Sequence, residues 1–277
     1  YTNGIPHISG GKVESDIGVT SVNNMLGSDA LAGSENSTDI KLKIGRRGDN
    51  GFPWDGEIAE YIVYNRALTS TEREQVNAYL AFKYGITLNN GTVDYVATDG
   101  LTEMWDKDAD VTYVHDIAGI GRDDCTNLNQ KQSKSQNDDA IVTMGLGAIE
   151  VDNVTNSNSF AADYSFLSWS NDNDNDGVID EVTTEVPMSL GIARRLDREW
   201  RVQEAGTVGN VEVQFDLSSL TISATIANQL ALLIDDDGDF SNGGTTKVDV
   251  DDFTAGIATI DAVDFNDGDY FTLATIV

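Results

Sequence analysis

Thr69 to Gly85 carries the one complete set of helix signals in this chain, and the segments on either side are short strand-like runs broken by Asp, Asn and Gly. Thr69 and Glu72 have the spacing of a capping box, which satisfies amides left free at a helix start. A helix over about 70–84 follows, and Gly85 suits the position just past its end. Val76, Tyr79, Leu80, Lys83 and Tyr84 recur at helical spacing, so this stripe is expected to pack on a sheet, with Glu72, Arg73, Glu74 and Gln75 in water. Before the helix, the runs at 5–15 and 16–22 are strand-like, and Asp39 to Gly45 alternates Ile40, Leu42 and Ile44 with Lys41 and Lys43. Asn50-Gly51 supplies a tight turn, and Glu57 to Tyr64 reads as a further strand through Ile58, Tyr61 and Val63. After the helix, AIVTMGLG, YSFLSWS, REWRVQEAG, NVEVQFDLS, QLALLID and DYFTLATIV are strand-like. In one of them Val211, Val213, Phe215 and Leu217 alternate with Glu212, Gln214 and Asp216, the pattern of a sandwich strand with one buried face.

Composition narrows the setting. With 277 residues the chain is long enough for two domains, each burying its own core. A formal net charge of -30 repels nucleic acid and anionic lipid, which disfavours functions that read phosphate. Cys125 is the single cysteine, so an internal disulfide is impossible, and the carboxylates beside it in RDDCTN disfavour a reactive thiolate. No apolar run is long enough to span a bilayer as a helix. Few Lys and Arg beside abundant Asp, Asn, Ser, Thr and Gly is the composition of a secreted β-protein.

Two family resemblances refine this reading. The segment WDGEIAEYIVYNRALTSTEREQVNAYLAFKYGIT, Trp54 to Thr87, resembles the closing strand and helix of a laminin-G/concanavalin A-like jelly roll. The segments WDKDADVTYVHDIAGIGRDD, LNQKQSKS, REWRVQE, LLIDDDGDFS and DGDYFTL resemble the Asp-rich β-module that follows such jelly rolls in large secreted proteins of Bacteroidetes and marine bacteria. Together they imply an all-β chain: a partial jelly roll with one C-terminal α-helix over residues 1–90, then a β-sandwich module over 91–277. Too few residues precede Trp54 for a whole jelly roll, so the resemblance implies that a neighbouring subunit or further polypeptide supplies the remaining strands.

Two acidic loops offer chemistry. In NDNDNDGVIDE, Asp172, Asp174 and Asp176 alternate, Gly177 permits a turn, Val178 can offer its carbonyl, and Asp180 or Glu181 can close a shell of hard oxygens suited to Ca²⁺. Thr183 stands where the bidentate Glu of an EF-hand loop belongs, and a solvated acidic turn is the competing reading. In IDDDGDFSNGG, Asp235, Asp237 and Asp239 alternate with a displaced Gly238, which fits calcium and a bare β-turn equally. Asp267 and Asp269 read as an ordinary hairpin turn, and Asp249 to Asp252 as a solvated strand edge.

Catalysis has little to build on. His7 and His115 are the only histidines, no G-x-S-x-G elbow accompanies them, and His115 with Asp116 reads as a hydrogen-bonded structural pair. Jelly-roll glycosidases carry E-x-D-x-x-E, whereas EIAEYI has Ala59 in place of the Asp, and Glu57 and Glu60 fall on opposite faces of a strand. Trp54, Trp105, Trp169 and Trp200 are candidates for a sugar-binding platform, each weighed against a place in the core. The R-G-D triplet at 47–49 and the sequons at Asn36, Asn90 and Asn153 are short enough to arise by chance.

The expectation is a non-catalytic, calcium-stabilised extracellular surface protein: an adhesin module, or a fibre subunit whose partners are neighbouring subunits or the rest of a longer polypeptide. A carbohydrate-binding module of a larger secreted hydrolase, with surface glycans as partners, is the alternative.

Overall fold

A computed structural model describes residues 6–14, 17–23, 25–30, 44, 53, 55–174 and 178–276. Near the start lie β1 (Ser9–Glu14), β2 (Ile17–Val22) and β3 (Met25–Ala30), followed by the helix α1 (Ser70–Tyr84). Next come β4 (Tyr95–Val96), β5 (Glu103–Trp105), β6 (His115–Asp123), β7 (Leu128–Gln130), β8 (Gln132–Lys134), β9 (Val142–Leu146) and β10 (Ser165–Asn171). The chain continues through β11 (Glu181–Val182), β12 (Ile192–Leu196), β13 (Trp200–Ala205), β14 (Val211–Asp216) and β15 (Leu230–Asp235). It ends with β16 (Thr246–Asp249), β17 (Asp252–Thr254), β18 (Ile257–Val263) and β19 (Tyr270–Ile276). The fold is all-β with a single α-helix among the described residues.

Two antiparallel sheets make the sandwich. The larger runs β11-β12-β19-β13-β10-β6-β7, with β15 on the other edge of β19 and β16 beyond it; the smaller runs β17-β18-β14-β9-β8. Between them Ala118, Ile120, Leu167, Trp169, Trp200, Val202 and Phe271 of the larger sheet meet Val142, Met144, Val211, Val213, Phe215 and Ile260 of the smaller. Trp200 stacks on Phe271 at 5.7 Å and meets the edge of Phe215 at 5.5 Å, favoured geometries for aromatic pairs. Strand β14 alternates buried and half-buried residues, because only one face of the smaller sheet meets the core.

The larger sheet is covered on both faces. Every residue of β10 is buried: Leu167 and Trp169 point into the sandwich, while Phe166 points outward to α1. Phe82 of α1 meets Phe166 edge-on at 5.4 Å and lies over Gly119 of β6, where a Cβ would overlap its ring. A glycine at 119 therefore sets how closely the helix approaches. Helix, large sheet and small sheet form three layers, and the helix shares a core with Ile8, Tyr95, Trp105, Ile117 and Leu128.

The helix begins with the expected capping box: Glu72 N–H donates to Thr69 Oγ1 at 3.2 Å, and Thr69 N–H donates to the Glu72 carboxylate at 2.9 Å. It ends at Gly85, whose φ of 63° is left-handed. Its buried face differs from expectation. Asn77, Ala78, Ala81 and Phe82 are buried, whereas Val76, Tyr79, Leu80, Lys83 and Tyr84 are half-buried on a flanking face. Two alanines let the backbone approach the sheet closely, and Phe82 fills the space above Gly119, so size complementarity outweighed the more apolar stripe.

The strand expected over Glu57–Tyr64 does not form: no residue from 57 to 64 is assigned to a strand. Glu60 is bound to α1 instead, accepting from Lys83 at 2.9 Å, Tyr84 at 3.0 Å and Tyr79 at 3.2 Å. A strand needs hydrogen-bonding neighbours, and among the described residues this segment has only side-chain tethers. The strand expected at Asp39–Gly45 lies outside the described residues except for Ile44, which is exposed, and Asn50-Gly51 lies wholly outside them.

Phe82→Ala is expected to destabilise the sandwich by about 3–5 kcal/mol, as truncation of a fully buried phenylalanine does, in a single urea transition shared by helix and sheet signals. The cap adds a pH dependence. Arg66 and the amide of Thr69 hold the Glu72 carboxyl at about 2. A depressed folded value means that the cap's contribution is complete above the unfolded glutamate pKa and is lost as pH falls towards 2. NMR titration of Glu72 with helix amide exchange checks this; a midpoint near the unfolded glutamate value would refute it.

Candidate functional site

The first acidic loop leaves β10 and is organised by a buried arginine. Arg198 lies between β12 and β13 with its side chain fully buried; its Nε donates to Asp174 Oδ2 at 2.9 Å and its Nη1 to Asp139 Oδ2 at 3.2 Å. Asp116 Oδ2 lies 3.8 Å from Nη1 and accepts from Asn171 at 2.7 Å, while Asp116 Oδ1 accepts from Asn137 at 2.6 Å. Asp116 therefore serves this hub in place of the expected pair with His115, which is exposed. Asp172 Oδ1 accepts the amides of Glu199 at 3.1 Å and Asp174 at 3.2 Å.

The other expected ligands of that loop among the described residues contact protein groups. The Asp180 backbone exchanges bonds with Asp197, and the Glu181 carboxylate accepts Ser223 N–H at 3.0 Å and its hydroxyl at 2.9 Å. Val178 is exposed, and Asp176 lies outside the described residues. Burial, then repulsion from Asp174 and Asp180, raises the Asp197 carboxyl above the usual aspartate range. Asp172 and Asp174 thus lie together at the Arg198 end, with Asp174 ion-paired to a protein cation.

The second acidic loop does converge. Asp235 ends β15 in the core, 1% exposed; Oδ1 accepts Asp237 N–H at 3.0 Å and Gly238 N–H at 2.9 Å, and Oδ2 accepts the Thr245 hydroxyl at 2.8 Å. Asp237 accepts Asp239 N–H at 2.9 Å, and Asp239 accepts Ser241 N–H at 3.0 Å. These bonds to its carboxylate, with the Asn242 amide, hold Asp237 below the usual aspartate range. Carboxylate oxygens of Asp235, Asp236 and Asp237 lie within 4.8 Å of one another, the one such acidic group among the described residues. Asp236 lay in the sequence pattern but between the alternating positions; the turn at Gly238 brings it in, while Asp239 faces Ser241. Burial, then repulsion from Asp236 and Asp235, raises Asp269 on the neighbouring turn, where it accepts Asn266 N–H at 2.8 Å as a hairpin residue. The donor set is hard oxygen throughout, which suits Ca²⁺.

Other candidates resolve into structural roles. Trp105, Trp169 and Trp200 are each at most 2% exposed, so none is a platform for sugar; Trp54 lies outside the described residues. Glu60 is committed to α1 and Glu57 is exposed. The Asn153 side chain accepts Lys131 N–H and donates to Asn129 O at 2.8 Å, which occupies that sequon. Sequence reasoning missed the network of Tyr113, whose hydroxyl donates to buried Glu199 at 2.7 Å while Arg195 bridges Glu199 and Glu185 at 2.7 and 2.6 Å. The REWRVQE run contains Glu199, but its partner Tyr113 is 86 residues away.

Replacing Arg198 by Ala is expected to cost about 3–5 kcal/mol, because buried Asp174 and Asp116 lose their cation. Asp174→Asn, which removes charge but keeps a hydrogen-bonding side chain, should cost less. Urea midpoints of the two variants check the order, and equal losses would contradict an electrostatic hub.

No curated protein and no solved structure matches this chain. A family profile described as a domain of unknown function, DUF8202, matches residues 72–269, from the first turn of α1 to the hairpin before β19. That span holds most of the helix, both sandwich sheets apart from β19, the Arg198 hub and the second acidic loop, and the chain belongs to the DUF8202 family.

Proposed function

We propose that this chain is a non-catalytic, calcium-stabilised module of an extracellular surface protein, serving as an adhesin module or the subunit of a fibre. The observation that carries the reading is the convergence of Asp235, Asp236 and Asp237 at the end of a core strand, with Asp269 close by. Three carboxylates in so small a space repel one another, and a divalent cation offsets that repulsion while closing the loop onto the sandwich. The first loop has Arg198 as its cation, so calcium is assigned to the second. A net charge of -30 fits water rich in divalent ions, and the resemblance of Trp54–Thr87 to the end of a laminin-G-like jelly roll supports the same setting. Burial of three of the four tryptophans weakens the sugar-binding alternative.

Thermal melting in calcium and in chelator tests the ion. At calcium about 100-fold above the dissociation constant, binding adds about 2.7 kcal/mol, a Tm increase on the order of 5–10 °C for a chain of this size. Asp235→Asn with Asp237→Asn should abolish the difference. An unchanged Tm for the native chain would overturn the calcium assignment.

A further inference from the structure

Asn-Gly pairs occur at 3–4, 50–51, 90–91 and 242–243, and the last two lie among the described residues. In such a pair the asparagine can lose its side-chain amide, because no Cβ shields the glycine nitrogen that attacks the carboxamide. The fold separates the two described pairs. Gly91 is buried with a left-handed φ of 73°, and a Cβ there would sit 2.2 Å from the carbonyl oxygen of Val114, so conformation and packing both demand glycine. Gly243 is exposed, its φ lies outside the left-handed range, and no atom of a described residue comes within 4 Å of where a Cβ would be. Among the described residues nothing requires a glycine there. Asn242 is exposed too, and its side chain folds back along the turn: Oδ1 accepts Gly244 N–H at 3.0 Å, while Nδ2 donates to the two carboxylate oxygens of Asp237 at 3.0 and 2.9 Å. The Gly244 amide polarises the carboxamide, and the fold-back holds that group beside the Gly243 peptide.

We propose that Asn242 is a deamidation site of the folded chain, and that the carboxylate formed there joins Asp235, Asp236 and Asp237 as a fourth acidic group for a divalent cation. The reaction needs only water. Hydroxide takes the Gly243 amide proton, the nitrogen attacks Asn242 Cγ, and the Cγ–Nδ2 bond breaks as ammonia leaves with a proton from water, which forms a succinimide. Negative charge develops on Oδ1 during the attack, at the atom that Gly244 N–H already holds. Water then opens the ring at either carbonyl and leaves aspartate or isoaspartate at position 242. The product inverts the contact with Asp237. An amide that donates twice to that carboxylate becomes a carboxylate in the same place, beside a group whose oxygens lie within 4.8 Å of one another. Repulsion rises when no cation is bound, and the count of hard oxygen donors rises when one is. Deamidation therefore makes the turn more dependent on the ion and tighter for it. This consequence rests on the calcium reading above, whereas the deamidation itself does not.

Incubation of the full chain at neutral pH and physiological temperature, folded and in urea, followed by peptide mass spectrometry, tests the site. In the folded chain Asn242 is expected to convert at least about tenfold faster than Asn90, whereas in urea, where only the shared Asn-Gly sequence counts, the two rates should agree within about threefold. Gly243→Ala, at a position open to a Cβ, should slow Asn242 by about tenfold and leave Asn90 unchanged. An Asn242 that converts no faster than Asn90 in the folded chain would overturn the site. Calorimetric calcium titration of Asn242→Asp, with circular dichroism to check its fold, tests the consequence. The variant should bind at least about tenfold more tightly than the native chain and melt lower in chelator. Aged native chain, separated from fresh chain by charge, gives the same comparison without a substitution. Equal affinities would overturn the fourth carboxylate's role. Selective conversion of Asn242 with no calcium response in any form would uphold the deamidation site and overturn the calcium reading together with the consequence drawn from it.

Discussion

Burial of the larger sheet on both faces is the constraint on which the rest of the structure depends. Phe82 lies over Gly119 and against Phe166, while Leu167 and Trp169 of the same strand as Phe166 fill the sandwich on the other side. The helix is therefore one of three layers. Its placement fixes the outer face of β6 and β10, and those strands carry Asp116 and Asn171 at the ends from which the Arg198 hub is assembled.

The two acidic loops illustrate how similar sequence patterns acquire different roles. Both alternate aspartates after a buried strand. The first begins beside a fully buried guanidinium, which recruits Asp174, while the Glu181 carboxylate binds Ser223 and the Asp180 backbone bonds Asp197. The second has Thr245 and its own amides as donors, and its three leading carboxylates remain together. A fixed positive charge makes one loop part of the fold, whereas the other concentrates negative charge at the end of a core strand. Low dielectric strengthens both effects, since Asp174 and Asp235 are buried.

Legibility in the sequence followed the number of covered faces. Strand β14 was readable because one face is half in water, which leaves the alternation of Val211, Val213 and Phe215 intact. Strand β6 escaped notice: HDIAGIGRD is buried on both sides, so its pattern has no period, and its glycines, which discourage a strand assignment, are there to admit Phe82 and Phe166. The segment Glu57–Tyr64 failed in the opposite way. Its residues are strand-forming, but pairing depends on a neighbour, and its tether among the described residues is the Glu60 carboxylate, bound to side chains of α1.

Local chemistry was sufficient for the helix ends, for the all-β class and for most of the strands after α1, because capping, turn residues and period-two burial act over a few neighbouring positions. The same locality made the acidic loops visible as oxygen-rich turns. Tertiary structure alone decided which helix face is buried, because that depends on the space above Gly119, and which carboxylates converge, because Arg198 and Asp174 are 24 residues apart. It also decided that three tryptophans belong to the core and that one apolar segment lies at the surface. Burial and ion pairing are properties of residues brought together from distant parts of the chain, whereas a cap or a turn is complete within its own few residues.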